Sequence, residues 1–198
     1  MNKIIEQSDR IAARAAAVLA ESGIKEVWER HGATVNLIGS VAMGLIINHQ
    51  DIDLHVYSSG ITEESSFAIV AEISKNPQVT EITCINGLHT DEHCMAWHLQ
   101  YKADNGEIWK FDIIHIEKGT KYDGFFESMA EKINAKLTNE TKEAILRLKS
   151  MTPETEKISG VEYYEAVIEH GITDYDVFMQ WVAERRKNPR KDYWLPKL

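Results

Sequence analysis

Val35-Asn36-Leu37-Ile38-Gly39-Ser40-Val41-Ala42-Met43-Gly44, followed by Asp51-Ile52-Asp53-Leu54-His55-Val56, is the stretch from which the rest of the chain can be read. An apolar run delivers the backbone to Gly39 and Ser40, residue types that let N–H groups come close to an anion. Asp51 and Asp53 are separated by one residue, so on a strand both carboxylates point to one face, roughly 6.5–7 Å apart along the backbone. Side by side they repel unless a cation lies between them, and Mg²⁺ takes oxygen ligands of this kind. The pattern points to Mg²⁺ chemistry on a polyphosphate.

The composition suits a globular protein: 43% of the 198 residues are hydrophobic, enough for one generous domain or two small ones sharing a core. The net charge is −9, but Glu184 to Leu198 holds six basic and two acidic side chains, +4, which leaves −13 for the remainder. So acidic a surface repels a nucleic-acid backbone and argues against an extended nucleic-acid groove outside the C-terminal tail. A small molecule or another protein is the expected acceptor or partner. Cys84 and Cys94 make no disulfide framework, the first residues lack the apolar core of a signal peptide, and the apolar window Ile11 to Ala20 is broken by Arg14. These features lead to the expectation of a cytoplasmic protein with no membrane partner.

Outward from the opening stretch, periodicity predicts helices over 3–22 and from Ile24 to Gly32, then a strand over 34–38. A helix beginning in Val41–Ile47 would aim its N-terminus at the same site. A strand over 52–57 precedes a helix opened by Thr62 that carries Phe67, Val70 and Ile73 and stops at Asn76-Pro77. Val79 to Ile85 reads as a strand, and a polar loop reaches His93. Met95, Trp97, Leu99 and Tyr101 then alternate with polar neighbours, as do Trp109, Phe111 and Ile113, giving a hairpin around Asp104-Asn105-Gly106. For both apolar sets to share a face, the loop must have three residues with Gly106 left-handed. Asp112 then lies opposite His98, and Lys110 opposite Gln100.

From Lys121 onward the pattern is helical, with Phe125, Phe126, Met129 and Ile133 on one helix and Ile145, Leu146 and Leu148 on the next. Thr152-Pro153-Glu154 and Ser159-x-x-Glu162 read as helix starts, Gly171 as a stop and Thr173 as a further cap. Pro189 and Pro196 mark a docked tail containing Tyr193 and Trp194. The boundary falls near residue 118, giving a mixed part over 1–118 and a helical part over 119–198.

With Phe111-Asp112-Ile113 as a third strand-borne acid, the sequence resembles the nucleotidyltransferase superfamily of DNA polymerase β type. Its signature is a hydrophobic strand, Gly-Gly or Gly-Ser, about ten residues, Asp-x-Asp or Asp-x-Glu, and a later acid. Here these fall on Gly39-Ser40, ten intervening residues, Asp51-Ile52-Asp53 and Asp112, within residues 34–116. The size and helical second half look most like the small bacterial minimal, aminoglycoside and lincosamide types. The resemblance implies an α/β (α+β) nucleotidyltransferase fold, a mixed sheet of four to five strands flanked by helices and followed by an all-helical part.

It also implies that Asp51, Asp53 and Asp112 are catalytic and hold two Mg²⁺ ions roughly 3.5–4 Å apart. Gly39 and Ser40 would grip the phosphates of a nucleoside triphosphate, with AMP from ATP the expected transfer and pyrophosphate the product. Small members of the family often carry Arg or Lys where Met43 stands; Lys110, on the face of Asp112, is the candidate replacement, and His98 joins the cofactor-binding set through the hairpin register. The alternative is a non-catalytic or regulatory member that works as a binding partner, such as a toxin–antitoxin component.

Other features have plainer readings. His55 faces the acid pair's side but reads as a hydrogen-bonded strand-end histidine. Arg185-Arg186-Lys187 offsets a helix macrodipole or meets phosphate in the cleft. His89, His93, Cys94 and His98 match no zinc spacing, and Tyr163, Tyr164, Phe178 and Trp181 read as helical core.

Overall fold

The computed structural model describes residues 2–188 and 193–196. Helix α1 (Lys3–Ser22) starts where the Asn2 side chain accepts the Ile4 N–H at 3.2 Å, and α2 (Ile24–Arg30) follows after Gly23. Strand β1 (Thr34–Ile38) leads into α3 (Gly39–Ala42), after which come β2 (Asp51–Ser58), α4 (Glu63–Ile73), β3 (Val79–Gly87), β4 (Cys94–Lys102) and β5 (Ile108–Glu117). Helices α5 (Phe125–Lys136), α6 (Asn139–Met151), α7 (Gly160–His170) and α8 (Tyr175–Lys187) complete the described elements.

The strands form one mixed five-stranded sheet in the order β1-β2-β5-β4-β3, with β2 and β5 parallel and the other neighbours antiparallel. This is the α/β architecture expected, at the upper end of the four to five strands. The alternation in β4 and β5 works as the sequence requires: Asp112 pairs with His98 and Lys110 with Gln100. The loop closes through Ala103 N–H to Glu107 O and Gly106 N–H to Ala103 O, both 2.8 Å, with Gly106 at φ 88°. A non-glycine residue there would cost about 1–2 kcal/mol.

Period-2 alternation gives the sheet two unlike faces. Ile52, Leu54 and Val56 from β2, Phe111 and Ile113 from β5, and Trp97 and Leu99 from β4 pack on one side against Val18 of α1, Trp28 of α2 and Ile69, Val70 and Ile73 of α4. Asp51, Asp53, His98, Lys110 and Asp112 fall on the other. A second core joins α5 to α8, with Met129, Ile133, Leu146, Leu148, Phe178 and Trp194 buried in it. Met43, Leu45 and Ile47 belong to this second core, and Ile4, Ile5 and Ile11 of α1 pack against it. The segment after the glycine turn and the first turns of α1 thus attach the sheet to the helical part.

Four local expectations are corrected. The helix placed in Val41–Ile47 is a single turn, Gly39–Ala42, because the Leu45 N–H returns to Ser40 O at 2.8 Å and Leu45 and Ile47 are drawn into the second core. Burying those two side chains contributes roughly 1.5–3 kcal/mol each, more than one further helical turn could. Thr152 ends α6 rather than starting a helix, its hydroxyl donating to Leu148 O at 2.9 Å. Asp174, not Thr173, caps α8, accepting the Val177 N–H at 3.0 Å. Phe67 is 51% exposed, and Ile69 joins Val70 and Ile73 as the inward stripe of α4. Trp194 is docked as expected; Pro189 lies outside the described residues.

Candidate active site

β2, an interior strand, presents Asp51 and Asp53 from its N-terminal end, and parallel pairing sets Asp53 beside Asp112 and Asp51 beside Lys110. The turn after β1 meets the acids from the other side. Gly39 has φ 69°, and a Cβ there would lie 2.0 Å from Asp53 Oδ2. Glycine is therefore required twice over, by the backbone conformation and by the carboxylate packed against it.

The carboxylates of Asp51 and Asp53 have no hydrogen-bond partner among the described residues. Burial, then the neighbouring Asp112 and Asp51, push the Asp53 carboxyl up to about 6, although Lys110 and Lys149 pull the other way. Burial also raises Asp51, opposed by Lys110 and His49. Asp112 is in a different state. Its Oδ1 is bonded to His98 Nδ1 at 2.5 Å and its Oδ2 accepts from Lys110 Nζ at 2.8 Å. Among the described residues no group of three or more His, Cys, Asp or Glu side chains is arranged to hold a metal ion. The donor set nevertheless fits a hard cation: two adjacent carboxylates, partly desolvated, mutually repelling and unbonded.

A cation does stand beside Ser40, although not from position 43. Met43 is buried in the second core. Lys149, from α6, reaches Ser40 Oγ at 3.0 Å, Leu45 O at 2.9 Å and Tyr164 OH at 3.2 Å, while Ser40 Oγ and Tyr164 OH are themselves 3.2 Å apart. Asn48 donates to Lys149 O at 2.7 Å and ties the 45–50 segment to the same helix. Lys149 stands four residues after the buried Ile145, at the rim of the apolar stripe, and that position was its one sequence signal.

Two cavities meet at Ser40, Asp53 and Gly160. One, of about 260 Å³, has a mixed lining, with Asp51, Lys149 and His49 beside Ile47, Ile158 and Tyr163. The other, of about 240 Å³, is walled by Met43, Phe126, Met129, Ile133 and Val161. His55 does not open onto the acids. It is buried, its Nδ1 lies 3.3 Å from Tyr57 OH, Phe126 packs edge-on at 5.0 Å, and burial pushes its pKa down to about 4. Glu127 accepts from Tyr57 OH at 2.8 Å and from Asn36 at 3.0 Å, pinning α5 to β1 and β2.

The basic C-terminal helix is engaged away from the acids. Arg185 Nε donates to Glu165 at 2.9 Å, and Arg186 Nε donates to Glu162 at 2.9 Å. Glu162 also accepts the Ser159 N–H at 2.9 Å, the capping box anticipated at the start of α7. These pairs fix the helix that carries Tyr164.

No family model matches the sequence, and neither does any curated protein sequence. Solved structures do match in shape. The non-canonical poly(A) polymerase complex GLD-2–GLD-3 aligns with TM-score 0.56 and 12% identity over 85% of this chain and 58% of that one. A structure of Cid1, described by its RNA terminal uridylyl transferase activity, aligns with TM-score 0.55 and 18% identity over 83% of this chain and 48% of that one. A variant of the Cid1 poly(U) polymerase bound to MgATP gives TM-score 0.57 and 17% identity over 87% and 51%. The chain thus spans roughly half the length of these proteins. No helix among the described residues is long and apolar enough to cross a membrane. The likeness, together with the mixed sheet and the acids beside the glycine turn, identifies the chain as having the nucleotidyltransferase fold.

Proposed function

We propose that this protein transfers a nucleoside monophosphate, AMP from ATP in the first instance, to a hydroxyl of a small molecule or partner protein and releases pyrophosphate. The observation that carries the reading is the meeting of the two cavities at Ser40 and Asp53, with the unbonded acids on one side and Lys149 on the other. Lys149 and Ser40 are the groups suited to the β- and γ-phosphates, and the apolar cavity beside Phe126 and Met129 suits the nucleoside. Asp51 and Asp53 would hold Mg²⁺, with Asp112 as the third carboxylate and two ions in the complete site. Bound there, Mg²⁺ would neutralise the triphosphate and lower the pKa of the attacking hydroxyl.

The acceptor is read from charge. With −13 outside the C-terminal segment and Arg185 and Arg186 tied to Glu165 and Glu162, acids outnumber the cations that would track a polynucleotide. Pyrophosphate release from each of the four ribonucleoside triphosphates, with Mg²⁺ and a panel of small hydroxyl acceptors, tests the proposal. At least one triphosphate should be consumed, and Asp51→Asn with Asp53→Asn should abolish it. Release that survives the double substitution would overturn the assignment.

A second reading, a nucleotide-binding member that does not transfer, is favoured by one observation: both oxygens of Asp112 are engaged, by His98 and Lys110. Calorimetric binding of ATP with Mg²⁺ but no pyrophosphate release from any triphosphate would support it.

A further inference from the structure

We infer that Lys110 is a built-in counter-ion that withholds Asp112 from metal, so that the site takes one divalent ion well before a second. The inference rests on the reading of Asp51 and Asp53 as metal ligands.

Lys110 and Asp112 lie two residues apart on β5 and project from the same face, directly beside Asp51 and Asp53 on β2. The three carboxylates form two classes. Asp51 and Asp53 have oxygens without hydrogen-bond partners, whereas Asp112 Oδ2 accepts from Lys110 at 2.8 Å and its Oδ1 is bonded to His98. A first cation meets the free pair. A second cation that needs Asp112 must displace either His98 from Oδ1 or, at Oδ2, an ammonium covalently tethered two residues away, which competes at high local concentration.

The ammonium also has somewhere to go. The Lys110 side chain is 47% exposed. It borders a groove of about 280 Å³ lined by Glu81, Thr83, His98, Leu99 and Gln100. Glu81, which now accepts from Gln100 Nε2 at 2.7 Å, offers a carboxylate at the far side of that groove. Lys110 can therefore leave Asp112 by rotating its own stem, with no change in the sheet. Lys110 acts through Asp112 and is a positioning residue in this account.

Mn²⁺ titration followed by electron paramagnetic resonance, with and without a non-hydrolysable ATP analogue, tests the inference on wild type, Lys110→Met, Lys110→Gln and Lys110→Met with Asp112→Asn. Wild type should bind one Mn²⁺, with a second at least tenfold weaker. Lys110→Met and Lys110→Gln should bring the second to within about threefold of the first, and adding Asp112→Asn should remove it. Two equivalent ions in wild type, or a second ion unmoved by either Lys110 substitution, would overturn the inference while leaving the metal reading intact. No Mn²⁺ bound by wild type under either condition would overturn the metal reading itself.

Discussion

Lys149→Met removes one ammonium while keeping a stem that fills the space above Tyr164, whose ring lies 5.1 Å from Nζ. In the free protein the ammonium makes three bonds, to Ser40 Oγ, Leu45 O and Tyr164 OH. Ser40 and Tyr164 keep each other at 3.2 Å, so Leu45 O is the one group left without its donor. The stability cost should be about 1–3 kcal/mol. For bound nucleotide the loss is a charge-assisted bond to phosphate, about 1.5–3 kcal/mol, which converts to roughly a 10- to 150-fold weaker Kd. Calorimetric titration with MgATP measures it, and thermal melting separates the two effects. Ile145→Ala is the control: a buried Ile of the same helix that lines neither cavity, truncated to Ala, should cost about 2–5 kcal/mol of stability, with a much smaller change in Kd. Unchanged ATP affinity in a folded Lys149→Met variant would refute the placement of the phosphates.

Gly39→Ala should destabilise by about 1–2 kcal/mol through its left-handed backbone, and its Cβ should displace the Asp53 carboxylate, 2.0 Å away, so that Mn²⁺ binding falls more than melting temperature does; normal Mn²⁺ binding would contradict the packing. The metal-free protein carries a pH signature from Asp53, at about 6 folded against 3.8 ordinarily. The folded state holds a proton between those values that the unfolded chain releases, so this contribution to stability is present below pH 4, is lost as pH rises through 6, and is flat above. Asp53→Asn should therefore stabilise the metal-free protein at pH 7 by on the order of 2–3 kcal/mol and flatten the dependence between pH 4 and 6; an unchanged slope in denaturation experiments would remove the claim. Arg186→Ala leaves Glu162, 7% exposed, with the Ser159 N–H, the Ser159 hydroxyl at 3.3 Å and an Arg185 nitrogen at 3.9 Å. It should cost on the order of 2 kcal/mol with little change in ATP affinity, and a large loss of affinity would return this helix to the phosphate site. An RNA primer should bind weakly at physiological salt and not be extended; tight, steeply salt-dependent binding would favour a polynucleotide acceptor.

The sheet side of the molecule was largely legible. Two-residue alternation in Met95–Tyr101 and Trp109–Ile113 dictates which faces are apolar, and with Gly106 it fixes the register that puts His98 opposite Asp112. Asp-x-Asp works the same way, since the spacing alone puts both acids on one face. What the sequence concealed depends on contacts between distant segments. Lys149 lies 109 residues from Ser40, and nothing in its helix distinguishes it from a solvated lysine except its place at the stripe's rim. Leu45 and Ile47 read locally as helix, but the second core they enter is built by residues after 125. Thr152-Pro153 has the composition of a helix start, yet Thr152 bonds backward to Leu148. Arg185 and Arg186 looked available because Glu162 and Glu165 precede them by about six turns of helix and loop, and only folding the hairpin of α7 and α8 brings them together.

On the proposed function, Asp51 and Asp53 bind nucleotide through a divalent ion beside Ser40. ATP titrated into wild type and into Asp51→Asn with Asp53→Asn, each with and without Mg²⁺, tests it most directly. Mg²⁺ should tighten ATP binding to wild type by at least about tenfold, and this dependence should vanish in the double variant. Equal Mg²⁺ dependence in the two proteins would contradict the account.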